Sequence, residues 1–364
     1  MPAKTDSKVH QFDNGSGLVL DIGIVGAGIA GLTTAAALAR LGHRVSIYER
    51  SRFSNEVGAA VNIGPNAAPV LNALGFNFKR ARLLEVREGK QFNAQTLEET
   101  YRGAYDDFES RFDAFWYFSH RVDLHNELRK LALEPSQFFQ GATLHLSSPV
   151  ASVDCESGVL TFEDGTRVDK DVIIGADGVH SVVARCVLGA DVPAGVVNEC
   201  AYRFLIPTAK LLNNPTTRPL FQEDKATFHI AATPEMRLVW YPCRGGEVQN
   251  FVGLHPAKSG RDTEEDWHAG GKVDDLLDTF SNFHPTLVEI CRNAEDLKLW
   301  KLMYRAPIRQ WARGKVIIIG DAAHPMLPHQ GQGANQAIED AGALGVLLSD
   351  LKSLQDIPRR LELV

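Results

Sequence analysis

The sequence is poor in cysteine and has no concentrated basic segment, and each absence excludes a class of protein. Its 364 residues include five cysteines, which are scattered and form no CxxC pair. This pattern excludes a disulfide framework and the common zinc sites, so we expect no metal and a reducing compartment. The net charge is -7 at pH 7. Without a basic face, nucleic acid is not an expected partner.

The sequence also lacks a signal peptide and a convincing transmembrane segment. Residues 1–17 are polar, and we expect a flexible tail there. Residues 22–39 carry no charge and are long enough for a membrane helix to be considered. The glycines within this run and Asp21 before it favour a strand, a turn and a helix instead. We therefore expect a cytoplasmic protein with no membrane contact evident in this chain.

Hydrophobic residues make up 44% of the chain, which is enough for a substantial α/β core. Residues 18–25 are an apolar run typical of a strand buried on both faces. Residues 31–41 have helical spacing and many alanines, and residues 44–49 form a second short strand. This order predicts a βαβ unit near the N-terminus.

The middle of the chain differs in character from both ends. A helix is expected at 122–133, short antiparallel strands at 150–154, 159–162 and 166–168, and a buried strand at 172–175. Prolines then recur, with short strands at 226–232, 237–241 and 250–254, and a helical stretch at 273–283. Buried-strand character returns at 315–319, and a long helix starts near residue 333.

This order predicts a discontinuous architecture. Residues 18–190 and 301–364 would form a Rossmann-like domain, and residues 191–300 an inserted mixed-sheet substrate domain. Parts of residues 60–120 would contribute to the active site.

A GxGxxG motif, Gly26, Gly28 and Gly31, lies between the first strand and the first helix. The first glycine permits the tight turn, the second lets the backbone approach a pyrophosphate, and the third lets helix and strand pack closely. Glu49 ends the second strand, where an acidic residue can bind a ribose diol. Arg50 beside it is either a nucleotide contact or a solvated strand-end charge. The turn predicts dinucleotide binding but does not choose between FAD and NAD.

Two further turns combine glycine and aspartate after buried strands. Asp177 and Gly178 lie in G-A-D-G-V-H-S at 175–181, and Asp321 lies in G-D-A-A-H-P at 320–325. Carboxylates at the C-terminal ends of strands face the crevice where α/β sheets bind ligands. Each turn alone is also compatible with an ordinary Asx turn, but three such turns in one chain favour a shared ligand site.

These three motifs, in this order, resemble those of the flavoprotein aromatic hydroxylases. The similarity runs over residues 19–340 and is greatest to the single-component, salicylate-hydroxylase-like branch, which includes fungal phenol and polyketide monooxygenases. The resemblance implies that family's fold, α/β with a Rossmann-like FAD-binding domain and an inserted mixed β-sheet substrate domain. It also implies tightly bound, non-covalent FAD.

The resemblance assigns roles to individual positions. The glycine turn and Glu49 would bind the ADP half of FAD, and Arg121 would also contact the flavin nucleotide. Asp177 and its motif are associated with both FAD and the pyridine nucleotide, and Asp321 would hold the ribityl chain. Ala60 belongs to a segment, residues 58–61 with 65–67, that resembles the family's segment along the flavin.

A glycine-rich loop before the last long helix completes the expected FAD site. Its residues Pro328, Gly331, Gly333, Ala334 and Asn335 would let the backbone approach a planar ring. The positive end of the following helix would stabilise negative charge on reduced flavin. The alternative is a loop that only caps a core helix.

By resemblance, NADPH or NADH reduces the FAD, dioxygen is captured as a flavin hydroperoxide, and one oxygen enters an electron-rich ring. A small phenolic or aromatic-acid substrate and O2 are therefore the expected partners of a monomer or homodimer.

Similarity to fungal members makes Arg203 and Tyr241 the candidate catalytic residues. Arg203 would stabilise a phenolate or carboxylate, and Tyr241 would donate a hydrogen bond to the same oxygen. Salt bridging and core packing, respectively, are the alternatives. His229, His255 and His329 are weaker candidates as proton carriers.

Two other functions remain open. A flavin-dependent halogenase or reductase has a similar fold, although the sequence lacks the W-x-W-x-I-P segment of halogenases. The chain also ends at Val364, earlier than the enzymes it resembles, so an FAD-binding protein with little turnover is the other alternative.

Overall fold

The computed structural model describes residues 17–52, 59–223, 225–257 and 271–364. The expected tail, apart from residue 17, lies outside these residues, as does Gly58 of the segment predicted along the flavin.

The described residues form strands and helices that alternate along the chain. The strands are β1 (Asp21–Val25), β2 (Arg44–Tyr48), β3 (Ala60–Ile63), β4 (Leu84–Glu85), β5 (Glu88–Asn93), β6 (Glu99–Ala104), β7 (Tyr117–His120), β8 (Thr143–His145), β9 (Val150–Asp154), β10 (Val159–Phe162), β11 (Arg167–Asp169), β12 (Val172–Gly175), β13 (Gly195–Pro207), β14 (Thr227–Ala232), β15 (Arg237–Cys243), β16 (Val248–Pro256), β17 (Glu295–Tyr304), β18 (Ala312–Arg313) and β19 (Val316–Ile318). The α-helices are α1 (Ile29–Arg40), α2 (Ala68–Ala73), α3 (Phe108–Phe112), α4 (Arg121–Leu133), α5 (Val182–Leu188), α6 (Thr208–Asn213), α7 (Arg218–Phe221), α8 (Val273–Thr279), α9 (Pro285–Arg292), α10 (Gly333–Leu347) and α11 (Ile357–Leu361).

A six-stranded sheet in the order β18-β19-β12-β1-β2-β8 forms the half of the fold in which nucleotide binding is predicted. All its pairings are parallel except that of the edge strand β18. The predicted βαβ unit is confirmed, with two differences in bounds. The first strand begins at Asp21 rather than residue 18, because the backbone N–H of Leu18 bonds to Leu351 O instead of the sheet. Helix α1 begins at Ile29, inside the glycine turn.

A seven-stranded mixed sheet in the order β17-β13-β16-β15-β14-β5-β6 forms the other half. Side chains alternate across it, as strands require. One face packs on α8 and α9 through a core that includes Tyr202, Phe204 and Trp240. The other face carries Arg203 and Tyr241, which neighbour those core residues along β13 and β15.

The helix expected over residues 273–283 is shorter, because α8 ends at Thr279. Phe280 then leaves helical geometry and its buried ring packs against Gly253, where a Cβ atom would lie 2.7 Å from the ring. Pro285 starts α9 soon afterwards. Core packing of one phenylalanine therefore overrides the local helical pattern.

Two three-stranded antiparallel sheets complete the fold. The predicted β9, β10 and β11 pair in the order β11-β10-β9. The sequence pattern did not predict the second sheet, β3-β7-β4. Its strand β3 is hydrogen-bonded both to the seven-stranded sheet and to helix α10. Within the described ranges, no helix is long and apolar enough to cross a membrane.

Candidate functional site

The three glycines of the GxGxxG turn have three different environments. Gly26 has φ +99°, and a Cβ atom there would lie 2.4 Å from Ala176 O. A Cβ atom on Gly31 would lie 2.0 Å from Gly26 O. Gly28 instead faces open space, with no atom within 4 Å of its Cβ position. Two glycines are therefore required by the fold, and the third leaves room for a ligand at the start of α1.

Glu49 lies beside this turn and holds its shape. One carboxylate oxygen accepts a hydrogen bond from Ala27 N at 2.9 Å, and the other accepts one from Ser51 N at 2.8 Å. The remaining lone pairs suit the expected ribose diol. Arg50 is exposed, which agrees with the solvated alternative as well as with a nucleotide contact.

Asp177 caps a helix. Its carboxylate accepts hydrogen bonds from Val182 N at 2.7 Å and Val183 N at 3.3 Å, and also binds the Ser181 hydroxyl. Burial raises the pKa of Asp177. The carboxylate therefore holds the start of α5. Gly178, with φ +81° and open space at its Cβ position, is the accessible point of the loop.

Sequence reasoning missed Arg305, which joins two of the motif loops. The side chain is 7% exposed and donates to Ala322 O at 2.8 Å and Val179 O at 2.9 Å. Burial lowers the pKa of Arg305, while the charges of Asp191 and Asp321 oppose this shift. No local pattern identifies this arginine, since both acceptors are backbone carbonyls far away in sequence.

The Asp321 side chain is exposed to solvent at the end of its loop. Burial raises the pKa of its carboxyl group, against the lowering effect of His324, Arg121 and Arg305. Its loop is held by Asp340 of α10, whose carboxylate accepts Gly320 N at 2.8 Å and lies 2.7 Å from His324 Nε2. Asp340 is thus a buried structural anchor of the Asp321 loop.

The His324–Asp340 pair predicts a pH dependence of stability. Burial alone would lower the pKa of His324, but the hydrogen bond and charge of Asp340 raise it above the ordinary 6.5. A folded-state pKa above the unfolded value gives stability that is fully present in acid and lost as pH rises through the folded pKa. Wild-type protein should therefore exceed His324→Gln in thermal stability most below pH 6.5, with the difference shrinking above it. A pH-independent difference in Tm would contradict the prediction.

Asn335 and Gly331 join the glycine-rich loop to β3. Asn335 is fully buried, and its carbonyl oxygen accepts Gly64 N at 2.7 Å. Its amide donates to Gly331 O at 2.8 Å and Asn62 O at 3.3 Å. Gly331 has φ +62°, and a Cβ atom there would lie 2.3 Å from Asn62 Nδ2. The structure therefore gives both residues a role in joining loop, strand and helix.

The remaining loop residues present backbone to the site. Pro328 begins a short 3₁₀ turn, Pro328–Gln330. Helix α10 begins at Gly333, as predicted, and no side chain caps its first amides. Gly333 has open space at its Cβ position, and Ala334 follows, half-buried, in the first turn. This helix end can therefore stabilise negative charge.

Tyr241 braces β3 against the seven-stranded sheet. Its hydroxyl donates to Ala60 O at 3.2 Å, and Ala60 N donates to the buried Asn250 side chain at 3.1 Å. The Tyr241 ring stacks on Phe118, with centroids 4.7 Å apart. Burial raises the pKa of Tyr241, with Arg203 acting against this shift. Tyr241 is thus packed in the core, as the alternative reading expected, and it also lies beside the predicted flavin segment.

Arg203 lies on the same face, across β16 from Tyr241. Its guanidinium carbon is 4.2 Å from the ring centroid of Trp300. Burial lowers the pKa of Arg203 to about 10, so the group remains protonated at neutral pH. Its Nε is buried without a hydrogen-bond partner in the described part of the chain. The salt-bridge alternative therefore finds no partner among the described residues.

The three candidate histidines contact aromatic rings or a carboxylate of the protein. His229 is buried and stacks on Trp240 at 4.7 Å on the core face of the sheet. Burial, helped by Lys90, lowers the pKa of His229 to about 3, so it stays neutral. His255 stacks on Tyr202 at 5.0 Å, and His329 Nε2 lies 3.1 Å from a carboxylate oxygen of Glu199. None of these contacts points to proton transfer with a substrate.

Arg121 connects the nucleotide side to the sheet side of the site. It is the first residue of α4, and its backbone N–H donates to Ala59 O at 3.0 Å. Its charge influences the pKa of both Asp321 and Arg203. The motif loops and the face carrying Arg203 therefore converge on one region.

Comparisons with known proteins identify the family of the chain. Residues 19–353 match the model of the FAD binding domain family. The chain is 37% identical to the FAD-dependent monooxygenase cfoG of Aspergillus candidus over 94% of this chain and 81% of that protein. It is 33% identical to hispidin-3-hydroxylase of Neonothopanus nambi over 94% of this chain and 83% of that one.

Solved structures show the same fold. The substrate complex of a salicylate hydroxylase has a TM-score of 0.78 and 24% identity, covering 94% of this chain and 83% of that chain. Klebsiella pneumoniae HpxO, complexed with FAD and uric acid, has a TM-score of 0.79 and 21% identity, covering 96% and 84%. The chain therefore belongs to the FAD-binding family of flavoprotein hydroxylases and is an FAD-dependent monooxygenase acting on aromatic substrates.

Proposed function

We propose that this enzyme hydroxylates a phenolic or aromatic-acid ring, using NADPH or NADH and O2, and that Arg203 binds the ring's anionic oxygen. The observation that carries this assignment is a protonated guanidinium on the sheet face that contacts the predicted flavin segment through Tyr241, with no carboxylate partner among the described residues. A buried cation is costly unless an anion compensates it. A phenolate or ring carboxylate would supply that anion.

The residues of the motif loops fit FAD. Open space at Gly28, Gly178 and Gly333 lets phosphate or ring atoms approach the backbone. Helices α1 and α10 begin beside Gly28 and at Gly333 without capping side chains. We assign contacts with FAD to Gly28, Glu49, Arg50, Arg121, Gly178, Asp321, Pro328, Gly333 and Ala334. We assign to Gly26, Gly31, Ala60, Asp177, Gly331 and Asn335 the shaping of the backbone that binds FAD. Bound FAD supplies hydride acceptance from the nicotinamide and activation of dioxygen.

The chain's own residues would position the substrate ring and polarise its hydroxyl group. Arg203 orients the ring through its planar N–H groups and favours the ionised hydroxyl, which is the more electron-rich form. The end of α10 stabilises negative charge near Gly333. Tyr241 acts on β3 through the carbonyl of Ala60, so its proposed role is to position that strand and, through it, the ring system beside it.

We also infer the two-part organisation predicted above, with β5 and β6 added to the inserted substrate domain because they pair in its sheet. A cytoplasmic location is part of the proposal, and the five free thiols support it.

The test is spectroscopic and kinetic. Purified protein should be yellow, and NADPH or NADH oxidation should accelerate when a phenol from a panel is added in the presence of oxygen. Mass spectrometry should find one added oxygen atom in the product. A yellow protein that no phenol stimulates with either nicotinamide would contradict the proposed function.

A further inference from the structure

The guanidinium of Arg203 is held by an aromatic ring. Arg203 lies on β13 and Trp300 on the neighbouring strand β17, where Trp300 pairs with Ala201. The two side chains therefore lie diagonally on one face of the sheet. The guanidinium carbon is 4.2 Å from the indole centroid, within the range of a cation–π interaction.

Among the described residues, the cation that acts on Arg203 is Arg121, whose charge lowers the pKa of Arg203. Across the described ranges, no carboxylate forms an ion pair with Arg203, and its Nε has no hydrogen-bond partner. In the part of the chain that the structure describes, an indole ring orients this cation and no carboxylate neutralises it.

We propose that Trp300 is a positioning and specificity residue, whose indole face holds the Arg203 guanidinium flat so that the site selects substrates carrying an anionic group. This rests on the proposed function, in which Arg203 contacts the substrate. A carboxylate partner would also orient the arginine, but it would cancel the charge and occupy the N–H groups. An indole face orients the plane and leaves the N–H edge free for a carboxylate or ionised hydroxyl.

The test measures ligand binding to the oxidised holoenzyme, without a nicotinamide. Salicylate, 2,4-dihydroxybenzoate and the amide of each are titrated while the flavin absorbance is recorded. Wild type should bind the carboxylates more tightly than the amides. Trp300→Leu should weaken carboxylate binding about tenfold and change amide binding little, since a desolvated cation–π contact contributes at about this level. Trp300→Phe should retain most of the wild-type preference.

Phe204→Leu is the matched control. Phe204 neighbours Arg203 on β13, but its ring is buried on the opposite face and stacks on Phe251. The Phe204→Leu variant tests whether a general loosening of the sheet also weakens carboxylate binding. We expect this variant to keep the wild-type preference for carboxylates. A wild type without that preference, or an equal loss for carboxylates and amides in Trp300→Leu, would overturn the inference.

The outcomes separate this inference from the proposed function. If Arg203→Gln removes the carboxylate preference and Trp300→Leu does not, the role of Trp300 is wrong while that of Arg203 stands. If both variants behave as expected but no phenol stimulates nicotinamide oxidation, anion recognition stands and the hydroxylase proposal fails.

Discussion

Arg203→Ala is expected to lower kcat/KM for a phenolic substrate by about 100-fold or more while the protein keeps its FAD. Losing one charged donor aimed at a substrate oxygen in a shielded site commonly has an effect of this size. FAD should remain because Arg203 lies on the sheet face, whereas the glycine turns assigned to FAD lie in the other half of the fold. Steady-state kinetics and the flavin-to-protein absorbance ratio measure the two effects.

Two further variants sharpen this experiment. Arg203→Lys keeps the charge but loses the planar set of donors, so its activity should fall between wild type and Arg203→Ala. Arg292→Ala serves as the control, because Arg292 ends α9 on the core side of the sheet and its side chain is 60% exposed. Loss of FAD along with turnover in Arg203→Ala would show that the residue supports the cofactor rather than the substrate.

Gly28→Ala should lose FAD affinity and Gly31→Ala should lose stability, although the two positions are only three residues apart in one turn. A methyl group at Gly28 meets nothing within 4 Å, and the residue has φ -76°, which suits alanine. Its apoprotein should fold normally and bind FAD about tenfold or more weakly, because the methyl group occupies space needed by the phosphate. At Gly31 the methyl group would lie 2.0 Å from Gly26 O, so the fold itself should be destabilised.

The measurements are thermal unfolding of each apoprotein and FAD titration by fluorescence. We expect an unchanged Tm for Gly28→Ala and a Tm lowered by several degrees for Gly31→Ala, since forced overpacking costs about 1–3 kcal/mol. Normal FAD affinity in Gly28→Ala would contradict the assignment of this turn to the phosphates.

The sequence predicted the nucleotide-binding half of the fold well, because its strands are short apolar runs buried on both faces. The strands β12 (172–175) and β19 (316–318) lie within the predicted runs. Strand β12 pairs in parallel with β1, and β19 pairs in parallel with β12. The substrate half was predicted less well. Its sheet takes β5 and β6 from a distant part of the chain, and alternation in half-buried strands does not specify a partner.

Some residues of the candidate site could likewise be predicted from the sequence, and others could not. Glycine turns and the aspartates after strands can be recognised in the sequence, since the backbone conformation they require limits the residue type. Asn335, Arg305 and Asn250 act through contacts with backbone far away in sequence, and no local pattern signals such contacts.

By itself, the amino-acid sequence determined the family and the cofactor, and it predicted the strand-to-helix turns that we assign to FAD, because those features depend on neighbouring residues. The tertiary structure alone decided that Asp177 caps α5, that Tyr241 binds the carbonyl of Ala60 and that Arg203 stacks on Trp300. Each of the last two depends on the packing and register of strands that are distant in the chain. Strand register is set by the packing of the whole sheet, so the charge environment of Arg203 could be read only from the folded protein.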